Sequence, residues 1–216
     1  MRVWLIGLSV ATAVLAQEPQ RIKVSVERQE TSGWRAVNPA TVLAAGDRVR
    51  FRVSASFAGY LYVTDRGTSG SYDLLFPTSD TGSDNRITAS KDYTVPARQG
   101  SFRIAGPEGH DIIYWVLSPV ELGPQYKPLP STPGAPPASF HTRCDDAIFK
   151  ARGECIDTSA GIKAVQPGEK LPENLNGAAG VNSRDLVFTE ERGQAVVSSP
   201  TPLAGPIIYE LRLAHR

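Results

Sequence analysis

The string in this sequence nearest to a catalytic motif is Asp80-Thr81-Gly82-Ser83. Aspartic peptidases place Asp-Thr-Gly just after an apolar strand, twice per active site, so that two carboxylates share one proton. Here the tripeptide occurs once and follows Thr78 and Ser79, which are polar. Asp, Gly and Ser are also the residues a polar turn selects on backbone grounds, and the turn is the expectation. A second candidate is Cys144, three residues after His141 and near the start of a helical pattern. A helix N-terminus lowers a thiol pKa and can make a nucleophile. The sequence has two cysteines, and the other is Cys155. In an oxidising compartment the pair is expected as a disulfide. Its closed loop of 12 residues stabilises a fold by roughly 3 kcal/mol in the chain-entropy model.

Four carboxylates, Asp145, Asp146, Glu154 and Asp157, surround the cysteines. Calcium needs six to eight oxygens in a suitable geometry, and this spacing makes no EF-hand loop. Lys150 and Arg152 compete for the same charges, so caps and surface pairs are the expectation. His110-Asp111 precedes an apolar run, but no G-x-S-x-G elbow and no H-E-x-x-H motif occurs among the three histidines and many serines. No catalytic residue, metal ligand or cofactor site is therefore assigned. Two groups remain as a possible binding surface. Arg48, Arg50 and Arg52 form a stripe on one strand face, suited to an acidic partner or to cross-strand pairing. Tyr60 and Tyr62 offer stacking area to a ligand, or pack within the sheet, which is the expected role.

The elements that would position these residues are mostly strands. Arg21–Arg28 alternates Ile22, Val24 and Val26 against polar neighbours, and Asp47–Phe57 alternates Val49, Phe51, Val53 and Ala55 against the arginines. Ala58-Gly59 reads as a tight turn with Gly59 free to take a positive φ, followed at once by a strand Tyr60–Asp65. Further strands are expected at Tyr72–Phe76, near Asp92–Val95 and near Ser101–Ile104. His110–Ser118 is apolar on both faces from Ile112 to Leu117, the pattern of a central, doubly covered strand. Turn-rich sequence surrounds Gly33 and Asn38-Pro39. Seven of the 17 prolines lie between Pro119 and Pro137, a segment expected as an extended surface connection. Thr142–Arg152 is the one good helix pattern, and residues 156–183 read as irregular. Strand patterns return at Asp185–Glu190, Gln194–Ser198 and Pro206–Leu213. The fold class expected is mainly β, an antiparallel β-sandwich with an irregular, Pro-rich, disulfide-clamped insertion at about 119–183 carrying one short helix. The closing strands over 185–213 would complete the sheets.

The compartment follows from the start of the chain. Arg2, the apolar run Val3–Leu15, and Val14 and Ala16 before Gln17 form the pattern of a signal peptide over residues 1–16. Spanning a membrane takes about 20 apolar residues, so the run is too short for an anchor. Residues 17–216 are expected as one exported, water-soluble domain, periplasmic or extracellular, with a disulfide and no membrane span after cleavage. With 23 basic and 22 acidic residues the charge is balanced, which excludes the basic footprint of a nucleic-acid binder.

Between residues 44 and 119 the sequence resembles a bacterial family, the domain of unknown function numbered forty-three eighty-four in the DUF series. The resemblance rests on Gly46-Asp47, Gly59-Tyr60-Leu61-Tyr62-Val63, Leu75-Phe76-Pro77, Asn85-Arg86-Ile87, Val95-Pro96 and Gly106-Pro107 with Gly109. It implies an exported β module with an accessory role, which in larger bacterial proteins accompanies caspase-like peptidase or kinase domains. It carries no catalytic residues over. The function expected is a non-catalytic exported module that binds or scaffolds another macromolecule, a protein or an envelope polymer. The alternatives are a cell-envelope hydrolase with an unrecognised active site and a purely structural envelope protein.

Overall fold

The computed structural model describes residues 19–97, 99–122, 141–165, 186–199 and 205–216. The signal-peptide segment, the Pro-rich stretch 124–137 and residues 166–183 of the expected insertion lie outside them. The described strands form two antiparallel sheets, as the alternating patterns predict.

Sheet one is built on β1 (Gln20–Glu30), which pairs with β2 (Gly33–Val37) and with β3 (Arg48–Ala55). Sheet two holds β4 (Gly59–Arg66), β5 (Tyr72–Phe76) and β6 (Arg86–Ile87). The chain then returns to sheet one with β7 (Tyr93–Val95) and β8 (Phe102–Arg103), and to sheet two with β9 (Gly109–Ser118). After the helix α1 (Asp146–Arg152) comes β10 (Gly161–Lys163) on sheet two. The hairpin β11 (Val187–Glu191) and β12 (Gln194–Ser199) joins sheet one, and β13 (Ile207–His215) closes sheet two. Sheet one runs β11-β12-β1-β3-β7, and sheet two runs β10-β13-β9-β4-β5.

One core lies between the sheets. Ile22, Val24, Val26, Phe51 and Val53 from sheet one meet Leu61, Val63, Trp115, Leu117, Tyr209 and Leu211 from sheet two. Phe51 packs edge-on to Trp115 with ring centroids 5.3 Å apart, a contact that crosses from one sheet to the other. The period of two explains why these residues share a face. β9 breaks that period because it is covered twice: Ile113, Trp115 and Leu117 face the core, while Ile112, Tyr114 and Val116 join Tyr62 and Ile208 in a second apolar cluster on the outer face. Leu122 and Val165 pack against that second cluster.

Four features differ from the sequence reading. The turn-rich stretch at Gly33 contains β2, too short for its alternation to stand out. β6, with two residues, has no pattern of its own. The stretch read as irregular from 156 contains β10, whose pairing with Glu210–Arg212 of β13 brings part of the insertion into the sheet. Ala58-Gly59 is not a tight turn between paired strands: β3 and β4 lie in different sheets, and Gly59 is absent from the positive-φ glycines. Its requirement for glycine is close approach, since a Cβ there would meet the Ser118 carbonyl oxygen at 2.5 Å.

The disulfide loop is stitched to the sandwich. Val42 N donates to the Cys155 carbonyl and Asp157 N to the Ala40 carbonyl, both at 2.9 Å. The helix is shorter than its pattern because Asp145 is extended and acts as the N-cap, its carboxylate accepting from Ile148 N at 2.9 Å. Gly153 ends it in the left-handed conformation at φ 70°.

Candidate functional site

The cysteines form the expected disulfide, Cys144–Cys155. Asp80 sits exposed in a polar turn in which Thr78 and Gly82 exchange backbone hydrogen bonds of 2.9 and 3.0 Å and Ser79 Oγ donates to the Asp80 carboxylate. Of the carboxylates near the cysteines, Asp145 serves the helix cap and Asp157 is buried among hydrogen bonds. Among the described residues no group of three or more His, Cys, Asp or Glu side chains is arranged to hold a metal ion.

Chain pairing brings together a serine, a histidine and an aspartate that no local motif announced. Ser159 Oγ and Asp157 Oδ2 each lie 3.3 Å from His110 Nε2. In an acyl-transfer triad the hydroxyl and the carboxylate hold opposite ring nitrogens. Here both meet the same one, and the Ser159 hydroxyl donates to Asp157 Oδ1 at 2.6 Å. Burial pushes the Asp157 carboxyl up, but the hydrogen bonds from Ser159 Oγ and N and from Arg143 N, with the His110 ring, hold it below the usual range. The arrangement fastens the disulfide loop to β9. A second histidine, His215, is similarly held on the core-facing side of the same sheet end: Thr68 Oγ1 lies 3.2 Å and Asp111 Oδ1 3.3 Å from its Nε2. Beside it, burial and the neighbouring Asp111 and Asp73 carboxylates push the Asp65 carboxyl well above its usual range.

The five residues considered as one binding surface do not share a face. Tyr60 and Tyr62 lie on the outer side of sheet two, and the arginines on the outer side of sheet one, with the core between them. The Tyr62 hydroxyl accepts from Leu122 N at 3.0 Å, and the Tyr60 hydroxyl accepts from Arg86 at 3.0 Å. Arg48 reaches Ser101 Oγ at 3.1 Å. Arg50 and Arg52 both bind Glu27 on β1, at 2.6 and 3.2 Å, and the Arg50 guanidinium lies 4.3 Å over the Trp34 ring.

Next to that charged row lies a polar cleft of about 230 Å³ lined by Lys23, Ser25, Arg52, Ser54, Asp92 and Gln194. Register explains it. On the outer face Ser25 pairs across to Arg52 and Lys23 to Ser54. Two short side chains on adjacent strands are thus ringed by long ones, which hollows an otherwise flat sheet. Gln194 Nε2 donates to Ser25 Oγ at 2.8 Å and forms one wall. Sequence reasoning assigned only Arg52 of these six. The short-long alternation of Lys23, Ser25 and Ser54 was readable, but which strands lie side by side was not.

No curated protein and no solved structure matches this chain. Residues 42–121, which run from the lead-in of β3 through the end of β9, match the model of the family described as Domain of unknown function (DUF4384).

Proposed function

We propose that this chain is an exported, non-catalytic β module, periplasmic or extracellular, that binds another macromolecule at the cell envelope through the outer face of sheet one. The observation that carries this reading is the polar cleft over β1 and β3. The disulfide suits an oxidising compartment, and no helix among the described residues is long and apolar enough to cross a membrane. The outer face of sheet two is a poorer surface for a partner, because Tyr62, Tyr114, Val116 and Ile208 are already buried in the second apolar cluster. The one place where a serine, a histidine and an aspartate meet among the described residues gives the hydrolase alternative no support, since the Ser159 hydroxyl donates to Asp157 Oδ1 rather than to an imidazole base.

The test is retention of isolated envelope polymers by the immobilised exported protein and by a Lys23→Glu/Arg52→Glu variant. Retention by the parent and its loss in the variant are expected. Equal retention by both would refute the assignment of the face.

A further inference from the structure

We propose that the cleft on sheet one seats one acidic sugar residue of an envelope polysaccharide, its anionic group held between Lys23 and Arg52. This rests on the binding reading above and specifies its ligand.

The lining sets the chemistry. All six lining side chains are polar, so a ligand presenting hydrocarbon gains nothing there. Donors predominate: the Lys23 ammonium, the Arg52 guanidinium and the Ser25 and Ser54 hydroxyls. The Gln194 amide spends one N–H on Ser25 Oγ, which directs the hydroxyl hydrogen of Ser25 elsewhere and leaves Gln194 Oε1 as an acceptor. Such a set complements an acceptor-rich group, a carboxylate or a phosphate. The local charge agrees. Glu27 is a single carboxylate shared by Arg50 and Arg52, which leaves one positive charge over. Among the described residues no carboxylate pairs with Lys23, so the cleft has a cation to offer. Asp92 stands on the other side of the cleft, beyond Ser54. It repels an acid at that end and, with Gln194 Oε1, accepts from sugar hydroxyls, so the ligand has one orientation. Size agrees as well. Pockets for drug-sized ligands run roughly 300–1,000 Å³, and about 230 Å³ is room for a single polar ring.

The test is an NMR titration of the full exported protein with a galacturonate oligomer, a galactose oligomer, galactose 6-phosphate and an oligoglutamate peptide. The acidic sugars should saturate and shift the amides of residues 23–25, 52–54, 92 and 194. Lys23→Gln should weaken them at least about tenfold, the loss of one charge-assisted contact. Ser54→Leu, which fills the cleft, should abolish them, and Lys163→Gln on sheet two should leave them unchanged. Tighter binding of the phosphate than of the galacturonate identifies the anion as phosphate. Equal binding of the neutral oligomer, binding of the peptide alone, or shifts outside the cleft overturn the proposal. If these probes fail while charge-dependent retention of whole polymer persists, the sugar assignment is wrong and the binding face stands. If both fail, the function reading falls too.

Discussion

Replacing Trp115 with alanine tests the sandwich at its centre. The side chain is fully buried, edge-on to Phe51 at 5.3 Å and parallel to Tyr209 at 6.3 Å. Truncation removes contacts to both sheets at once and leaves a cavity, a change costing about 3–5 kcal/mol. A chain of this size loses about 2–4 °C in Tm per kcal/mol, so the midpoint should fall by about 6–20 °C. Trp115→Phe separates shape from polarity. The indole Nε1 is buried with no hydrogen-bond partner among the described residues, and a buried unpaired donor costs about 1–3 kcal/mol. Phenylalanine keeps most of the ring contact and removes that donor, so it should cost less than half as much as alanine. Thermal and urea melts of the same purified proteins decide it. A loss below about 1 kcal/mol for alanine, or equal losses for the two variants, would refute the inter-sheet role of this residue.

Four further outcomes are expected. Asp65 has its pKa raised by burial and by Asp111 and Asp73, so its contribution is present at acid pH and is lost as pH rises through the folded value; Asp65→Asn should stabilise the protein in melts above neutrality and not near pH 4. Asp157 has the opposite sign, since its lowered pKa contributes stability above the unfolded value of about 4 that is lost as pH falls through the folded value; Asp157→Asn should lower Tm at pH 7, with the gap narrowing as the pH is taken below the unfolded value. Reducing Cys144–Cys155 should cost roughly 3 kcal/mol and raise hydrogen exchange at residues 141–165 while β9 amides stay protected. Gly59→Ala should cost about 1–3 kcal/mol by urea melt, because its Cβ would press on the Ser118 carbonyl oxygen.

Most of the sheet framework was legible because burial imposes a period on sequence. β1 and β3 carry apolar side chains on one face each and alternate, the buried Ser25 and Glu27 on the other face of β1 being polar; β9 is apolar on both faces and does not alternate. Both patterns follow from how many faces meet apolar neighbours. The elements that were missed are held from outside: β10 has three residues and exists as a strand because the edge of β13 accepts it. For Gly59 the sequence suggests a tight turn with freedom to take a positive φ, whereas the structure shows neither and requires glycine there for close approach to Ser118. A positive φ is a local property that sequence can suggest, whereas approach to Ser118 depends on where β9 lies. Tyr62 fared better: its alternation put it opposite Leu61 and Val63, and its packing role follows from the second apolar cluster.

The candidate cleft was illegible for a related reason. It is assembled from β1, β3, the approach to β7, and β12, so its members are separated by up to 171 positions between Lys23 and Gln194. Only Arg52, Ser54 and Asp92 fall within the segment that matches the family model. Lys23 and Ser25 come from β1, which stands in the middle of sheet one, and Gln194 from the strand on its other side. The matched segment therefore supplies one half of the cleft, and the strands that complete the sheet supply the other. Arg52 needs a neighbouring β1 for its pairing with Glu27, so the charge at the site depends on a strand outside the matched segment. If this face binds as proposed, changes on β1 and β12 should alter which ligand is taken while leaving the 42–121 framework folded. The framework would set where the site lies, and the flanking strands would set its chemistry.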